Sequence, residues 1–90
     1  MPAKILANEG GCEIAIVDIP ELSGMYVSIK MGTEHKHGFY RLTEYTGNRW
    51  DDAKRKFKRN YINIIADIKL RGGMSEHMAH VLVHQILEII

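Results

Sequence analysis

The sequence predicts an α+β fold, an antiparallel meander of three or four strands followed by two helices packed on one face. Two observations carry this prediction. Strand-like segments separated by short turns occupy the chain before Gly47, and the spacing of apolar residues changes to a helical repeat at Asn48. Strands that precede helices are typical of α+β domains.

The first two predicted strands form a hairpin. Residues 4–8 and 12–19 are short apolar runs, and Glu9-Gly10-Gly11 separates them. Glycine adopts the positive φ angles that a tight hairpin turn requires. We therefore expect the two segments to pair.

The next segments continue the sheet. Residues 25–31 alternate strictly, and their apolar face holds Met25, Val27, Ile29 and Met31. A polar loop over residues 32–38 follows, and then residues 39–46, FYRLTEYT, which end before Gly47. The predicted strands thus lie within about residues 4–46.

A long helix is predicted over residues 48–71. Asn48 is a favourable N-cap, and Asp51 and Asp52 lie where a helix N-terminus favours anions. The stripe expected to cover the sheet consists of Trp50, Ala53, Phe57, Tyr61, Ile64 and Ile68. Unbroken, this helix would measure about 36 Å and reach the edge of a domain of this size, whereas a break near Asn60 or Asn63 would shorten it.

A second helix is predicted over residues 75–90, with Ser75 as its N-cap. Its narrow polar face holds His77, His80, His84 and Glu88. Histidines four residues apart can bind one metal ion, but zinc sites normally draw ligands from several elements. We therefore predict no metal and no other cofactor.

Length and composition favour a single domain over residues 1–90. An apolar content of 46% supports one core, and the lone Cys12 excludes an internal disulfide, which favours the cytoplasm. The sequence shows no signal segment and no apolar run long enough to span a membrane, so we expect no membrane association.

Positive charge is concentrated in the second half of the chain. Residues 1–47 contain four cations and six anions, whereas residues 48–90 contain eight cations and five anions. The small net charge of +1 hides this asymmetry. A polyanion would be attracted first to the second half.

The densest cationic run is KRKFKR, residues 54–59. Because Phe57 belongs to the core stripe, the cations are expected around the rest of the helix surface. Such a cluster is typical of a phosphate-binding surface. A solvated helix face without a ligand gives the same pattern, and that alternative remains open.

Local acids are expected to neutralise part of this run. Asp51 and Asp52 precede Arg55 and Lys56 by four residues, the spacing of helix ion pairs. The predicted phosphate contacts are Lys54, Lys58 and Arg59, supported by Arg55, Lys56 and Arg41.

The sheet offers a further surface with aromatic and basic side chains. If Tyr40 and Leu42 point inward, the outward residues are Phe39, Arg41, Thr43 and Tyr45, joined by Tyr26, Ser28 and Lys30. Aromatic residues among cations on an open sheet can stack bases. Ordinary cross-strand pairs, or an edge covered by a second subunit, also explain the pattern, and we favour these explanations because solvent-facing aromatic residues suit strands without any ligand.

The later half of the long helix is apolar on two faces. Its extra face is covered either by the second helix or by another subunit. We predict a homodimer whose interface consists of Ile62, Ala66, Leu70, Ile89 and Ile90.

Enzyme signatures are absent from the sequence, which has no Gly-rich phosphate loop after a strand, no nucleophile elbow and no His-Glu-x-x-His. We predict a small non-enzymatic nucleic-acid-binding protein with weak sequence selectivity and no small-molecule substrate. The alternative is a dimeric protein-interaction module, an adaptor or inhibitor, without a nucleic-acid role.

Overall fold

The computed structural model describes residues 4–44 and 47–90. One antiparallel sheet has the order β1-β2-β3-β4, with β1 at Ile5–Glu9, β2 at Cys12–Ile19, β3 at Gly24–Met31 and β4 at Glu34–Glu44. Within the described residues the α-helices are α1 at Arg49–Arg59, α2 at Tyr61–Leu70 and α3 at Glu76–Ile89, and a 3-10 helix at Pro20–Leu22 joins β2 to β3. The α+β class and the four-stranded meander are confirmed, while the predicted strand positions at Tyr45 and Thr46 lie outside the described residues.

The β1–β2 hairpin forms at the predicted turn. Gly10 and Gly11 have φ angles of 56° and 78°, and Glu9 pairs with Cys12 across them. A positive φ is costly for residues with a Cβ, so the two glycines fix the register of the hairpin.

The single helix predicted over residues 48–71 is in fact two helices. Asn60, at φ −111° and ψ 18°, leaves the helical region and divides α1 from α2. Its side-chain amide donates to the hydroxyl of Tyr40 on β4 at 3.3 Å. Asparagine favours such side-chain bonds over continuing a helix, which accounts for the break.

The break allows each half of the segment to pack differently. Helix α1 lies on β3 and β4, α2 packs against α3, and α3 lies on β1 and β2. Each of the first two helices is only about 15 Å long, so neither overhangs the domain. The Cα radius of gyration is 12.0 Å, the value expected for one compact domain of this length.

One core unites the sheet and the helices on a single face. The predicted stripe supplies Ala53, Phe57, Ile64 and Ile68, each with no exposed surface, while Trp50 and Tyr61 are half-buried at the core edge. Within the described ranges, no helix is both long and apolar enough to cross a bilayer.

The start of α3 is fixed by a cap and an ion pair. The backbone amide of Met78 donates to Ser75 Oγ at 3.2 Å, as predicted for this N-cap. Lys69 of α2 donates to Glu76 at 3.0 Å, and this hydrogen bond, followed by the charge of Lys69, lowers the pKa of Glu76 from 4.5. Because its pKa is lowered in the folded state, Glu76 stabilises the fold at pH values above its ordinary pKa. This stabilisation is lost as the pH falls through the lowered pKa.

Candidate nucleic-acid interface

Helix α1 positions the cationic cluster by burying one side of itself. Ala53 and Phe57, four residues apart, are fully buried against the sheet. Because a helix repeats every 3.6 residues, the intervening residues 54–56 lie off the buried side, half-buried at its edges and exposed opposite it. Asp51 and Asp52 lie in the first turn, where the helix dipole favours anions. The basic residues are thus left around the exposed circumference of α1.

The local ion pairing differs from the predicted spacing. Asp52 pairs with Arg55, three residues later, and not with Lys56. Asp51 makes no ion pair with Arg55 within the described part of the chain. Across those same residues, the cations of α1 that form no ion pair are Lys54, Lys56, Lys58 and Arg59.

The cations lie on two flanks of α1. On the first flank, Arg55, Lys56 and Arg59 line a cleft of about 310 Å³ against Thr43 of β4, with Asp52 and Leu42 completing the walls. Lys54 and Lys58 are not among the residues that line this cleft. Lys54 and Lys56 are half-buried and Lys58 is exposed.

The positive field of the protein is concentrated on α1. Residues 49–59 contain six cations and two anions, a balance of +4, whereas the whole chain has +1. The remainder therefore has a balance of −3. Arg49 forms an ion pair with the buried carboxylate of Asp18 at 3.0 Å, so its charge is neutralised within the fold. The solvent-facing charge comes from residues 54–59.

Arg41 does not join this cluster. Its register partner is Tyr26, which lies on the sheet face opposite the helices. The guanidinium of Arg41 donates to the Tyr26 hydroxyl at 2.7 Å and lies 5.5 Å from the centre of that ring. It also pairs with Glu44 at 3.8 Å. The sheet therefore separates the predicted supporting residue Arg41 from α1.

The outer face of the sheet follows the predicted alternation only in part. The pairing of β3 with β4 shifts between Met25 and Tyr26 and again between Val27 and Ile29. Such bulges reverse which side chains share a face, and Thr43 consequently lies beside α1. Tyr26 is only 7% exposed. Tyr45 lies outside the described residues.

Phe39 is also engaged within the fold. The guanidinium carbon of Arg71, at the end of α2, lies 4.6 Å from the centre of the Phe39 ring. Arg71 also donates to the Phe39 carbonyl oxygen at 3.2 Å. This cation–π contact joins α2 to β4, so the ring already has a partner.

A groove that sequence reasoning missed crosses the outer face. It measures about 520 Å³, and its floor includes the register partners Ala15 and Ser28. Val17 and Ile19 extend the apolar wall along β2. The sequence of β2, CEIAIVDI, does indicate such a site, because a strand with apolar residues on both sides is typical of a sheet that is covered on both faces. The charged residues of its lining are two cations, Lys4 and Lys30, and three anions, Glu13, Asp18 and Glu21, so the groove has no excess of positive charge.

Two histidines of the α3 stripe stack on each other. His80 and His84 have ring centres 6.1 Å apart, and Tyr61 meets His84 edge-on at 5.8 Å. In residues 4–44 and 47–90, no group of three potential metal-ligating side chains comes together.

The residues predicted for an oligomer interface are divided between α2 and the end of α3. Ile62, Ala66 and Leu70 follow one side of α2, and Ile62 and Leu70 are strongly exposed. Ile90 packs against the core. Ile89 lies one turn beyond Gln85, whose amide donates to Glu9 of β1, so it belongs to the β1 side of α3.

Comparison with known proteins gives no relative for the chain, since no family model, no curated protein and no solved structure matches it.

Proposed function

We propose that this is a small non-enzymatic, cytoplasmic protein that binds nucleic acid through the solvent-facing cations of α1. The observation that carries this proposal is the set of basic side chains on α1 that form no ion pair among the described residues, namely Lys54, Lys56, Lys58 and Arg59. A rigid helix held by Phe57 presents these charges together.

The cleft between α1 and β4 suits a phosphate group. Lys56 and Arg59 provide ammonium and guanidinium donors, while Asp52 holds Arg55 at the same opening. Lys58, exposed on the other flank, would reach a neighbouring phosphate. Contacts of this kind neutralise backbone charge and release counterions, whichever bases are present. Binding is therefore expected to be salt-sensitive and weakly sequence-selective.

The outer sheet groove has no excess of positive charge, which supports α1 as the binding surface. A polyanion is attracted where one sign of charge predominates, and that is residues 54–59. The rings of Tyr26 and Phe39 already contact the guanidinium groups of Arg41 and Arg71 within the fold. We therefore expect no base stacking on these two rings.

The alternative function, a protein-interaction module, is favoured by the exposure of Ile62 at 66% and Leu70 at 77%. The two functions depend on different surfaces of the molecule. Variants of α1 cations should affect only nucleic-acid binding, and variants of the α2 stripe should affect only protein association.

The test compares two double variants that remove the same charge. Lys58→Ala with Arg59→Ala removes cations from α1, and the control, Lys4→Ala with Lys30→Ala, removes two from the outer sheet face. Fluorescence anisotropy with random-sequence duplex DNA and single-stranded RNA should show about tenfold weaker binding for the α1 variant, because two phosphate contacts are lost. The control should change affinity by less than about twofold. Equal losses would contradict a local interface, and no binding by the unmodified protein would contradict the function.

A further inference from the structure

Helix α2 presents an apolar stripe whose two ends are strongly exposed and whose middle residue is half-buried. Ile62 and Leu70 are the most exposed of the large apolar side chains in the described ranges. Ala66 lies midway between them, so the three residues recur at intervals of four along one side of α2. Apolar surface gathered in this way marks a contact site.

We propose that this stripe joins two copies of the chain, with α2 packed antiparallel against α2 of the second copy and Ala66 at the two-fold axis. Ile62 precedes Ala66 by four residues and Leu70 follows it by four. Rotation about Ala66 therefore places each Ile62 against the Leu70 of the other copy, as an isologous interface requires. The small alanine side chain allows the helix axes to approach within about 8–10 Å.

The residues that flank the stripe favour the antiparallel direction. Asn63 and Lys69 lie three residues before and after Ala66. Antiparallel packing places each Lys69 against Asn63 of the second copy, where the amide can accept a hydrogen bond from the ammonium group. Parallel packing would oppose the two Lys69 side chains, and like charges in contact are destabilising. Lys69 also forms an ion pair with Glu76 of its own chain at 3.0 Å, and an ammonium group has three hydrogens to donate, so both contacts can form together.

The stripe continues into a groove that can receive side chains of the second copy. This groove, of about 430 Å³, lies between α2 and α3 and includes Ile62, Ala66 and Lys69 in its lining. Ile65 and the edge-on pair of Tyr61 and His84 provide further apolar and aromatic contact. The apolar surface available to a second copy is therefore wider than the three stripe residues.

The size of the contact sets its strength. A ten-residue helix is about 15 Å long, so the buried area falls at the low end of protein interfaces. In a contact of this size, little favourable free energy of binding is left after the two copies lose rotational and translational freedom. We expect a dissociation constant on the order of 10–100 µM, with dimers at high concentration only.

The first test measures mass by sedimentation equilibrium over a concentration series. The protein should shift from 10.3 kDa toward twice that mass, and Ile62→Asp or Leu70→Asp should keep it at 10.3 kDa at every concentration. Leu22→Asp, which changes a 47% exposed residue far from α2 in sequence, is the matched control and should still dimerise. A monomer up to about 1 mM, or a dimer unaffected by both α2 variants, would overturn the proposal.

The second test reads the direction of packing. In a Cys12→Ser background, Ala66→Cys brings two thiols together at the two-fold axis and should form a disulfide-linked dimer under mild oxidation. Asn63→Cys should remain largely unlinked, because antiparallel packing places it opposite Lys69. Linkage of Asn63→Cys at least as efficient as that of Ala66→Cys would overturn the antiparallel arrangement. Lys58→Ala with Arg59→Ala should dimerise normally, so this proposal can fail or succeed independently of nucleic-acid binding.

Discussion

Replacing Phe57 with alanine lowers the free energy of unfolding by about 3–5 kcal/mol. Its ring has no exposed surface and lies in the core between α1 and the sheet. Truncation loses the transfer free energy of the ring and leaves a cavity that the surrounding side chains fill only in part. A domain of this size has roughly 5–13 kcal/mol of stability, so one substitution removes a large share of it.

The measurement is urea unfolding followed by the fluorescence of Trp50, the only tryptophan in the chain, near the start of α1. Phe57→Leu, which retains most of the apolar volume, should cost less than about 1.5 kcal/mol. Lys58→Ala, at the exposed neighbouring position, should change stability by less than about 0.5 kcal/mol. If Phe57→Ala cost no more than Lys58→Ala, α1 would not be held by this ring.

Replacing Gly72 with alanine is expected to destabilise the fold by about 1–3 kcal/mol. A Cβ at this buried position would lie 2.5 Å from the carbonyl oxygen of Ile68 and 2.8 Å from Cδ1 of Ile29. The first neighbour is backbone and cannot move cheaply, and the second belongs to the core of β3. The turn after α2 would have to shift away from the sheet, together with the contacts of Lys36 with the Arg71 and Gly72 carbonyl oxygens.

Gly47→Ala is the matched control, because a Cβ there meets nothing within 4 Å and the backbone does not require a positive φ. Its stability should stay within about 0.5 kcal/mol of the unmodified protein or rise slightly. Thermal unfolding of the two variants side by side provides the comparison. Equal midpoints would contradict the close approach of Gly72 to the end of α2.

The fold class was predictable because apolar periodicity and turn glycines act locally. The hairpin at Gly10-Gly11 and the helix cap at Ser75 follow from the conformations that single residues prefer. The sequence left a break near Asn60 or Asn63 open but did not place it, since it depends on a hydrogen bond with Tyr40, twenty residues earlier. Contacts between distant segments leave no periodic signal in a single sequence.

The candidate site was predictable in part for the same reason. The burial of Phe57 follows from the helical repeat, and it determines which side of α1 faces solvent. Alternation along β4 also predicts that Arg41 shares the outer face with Tyr26, as observed, whereas Thr43 lies beside α1 because the pairing of β3 with β4 shifts twice. The pairing of Asp52 with Arg55, in place of Lys56, is a choice between two allowed helix spacings.

The salt dependence of nucleic-acid binding tests the central claim most directly. The association constant of the unmodified protein for duplex DNA should be measured between about 50 and 200 mM salt, the range in which phosphate contacts dominate. If two to four cations of α1 contact phosphates, the logarithm of the constant should fall against the logarithm of salt with a slope of about −2 to −4. Lys58→Ala with Arg59→Ala should reduce that slope by about 2. A slope near zero, or one that the two substitutions leave unchanged, would contradict binding through α1.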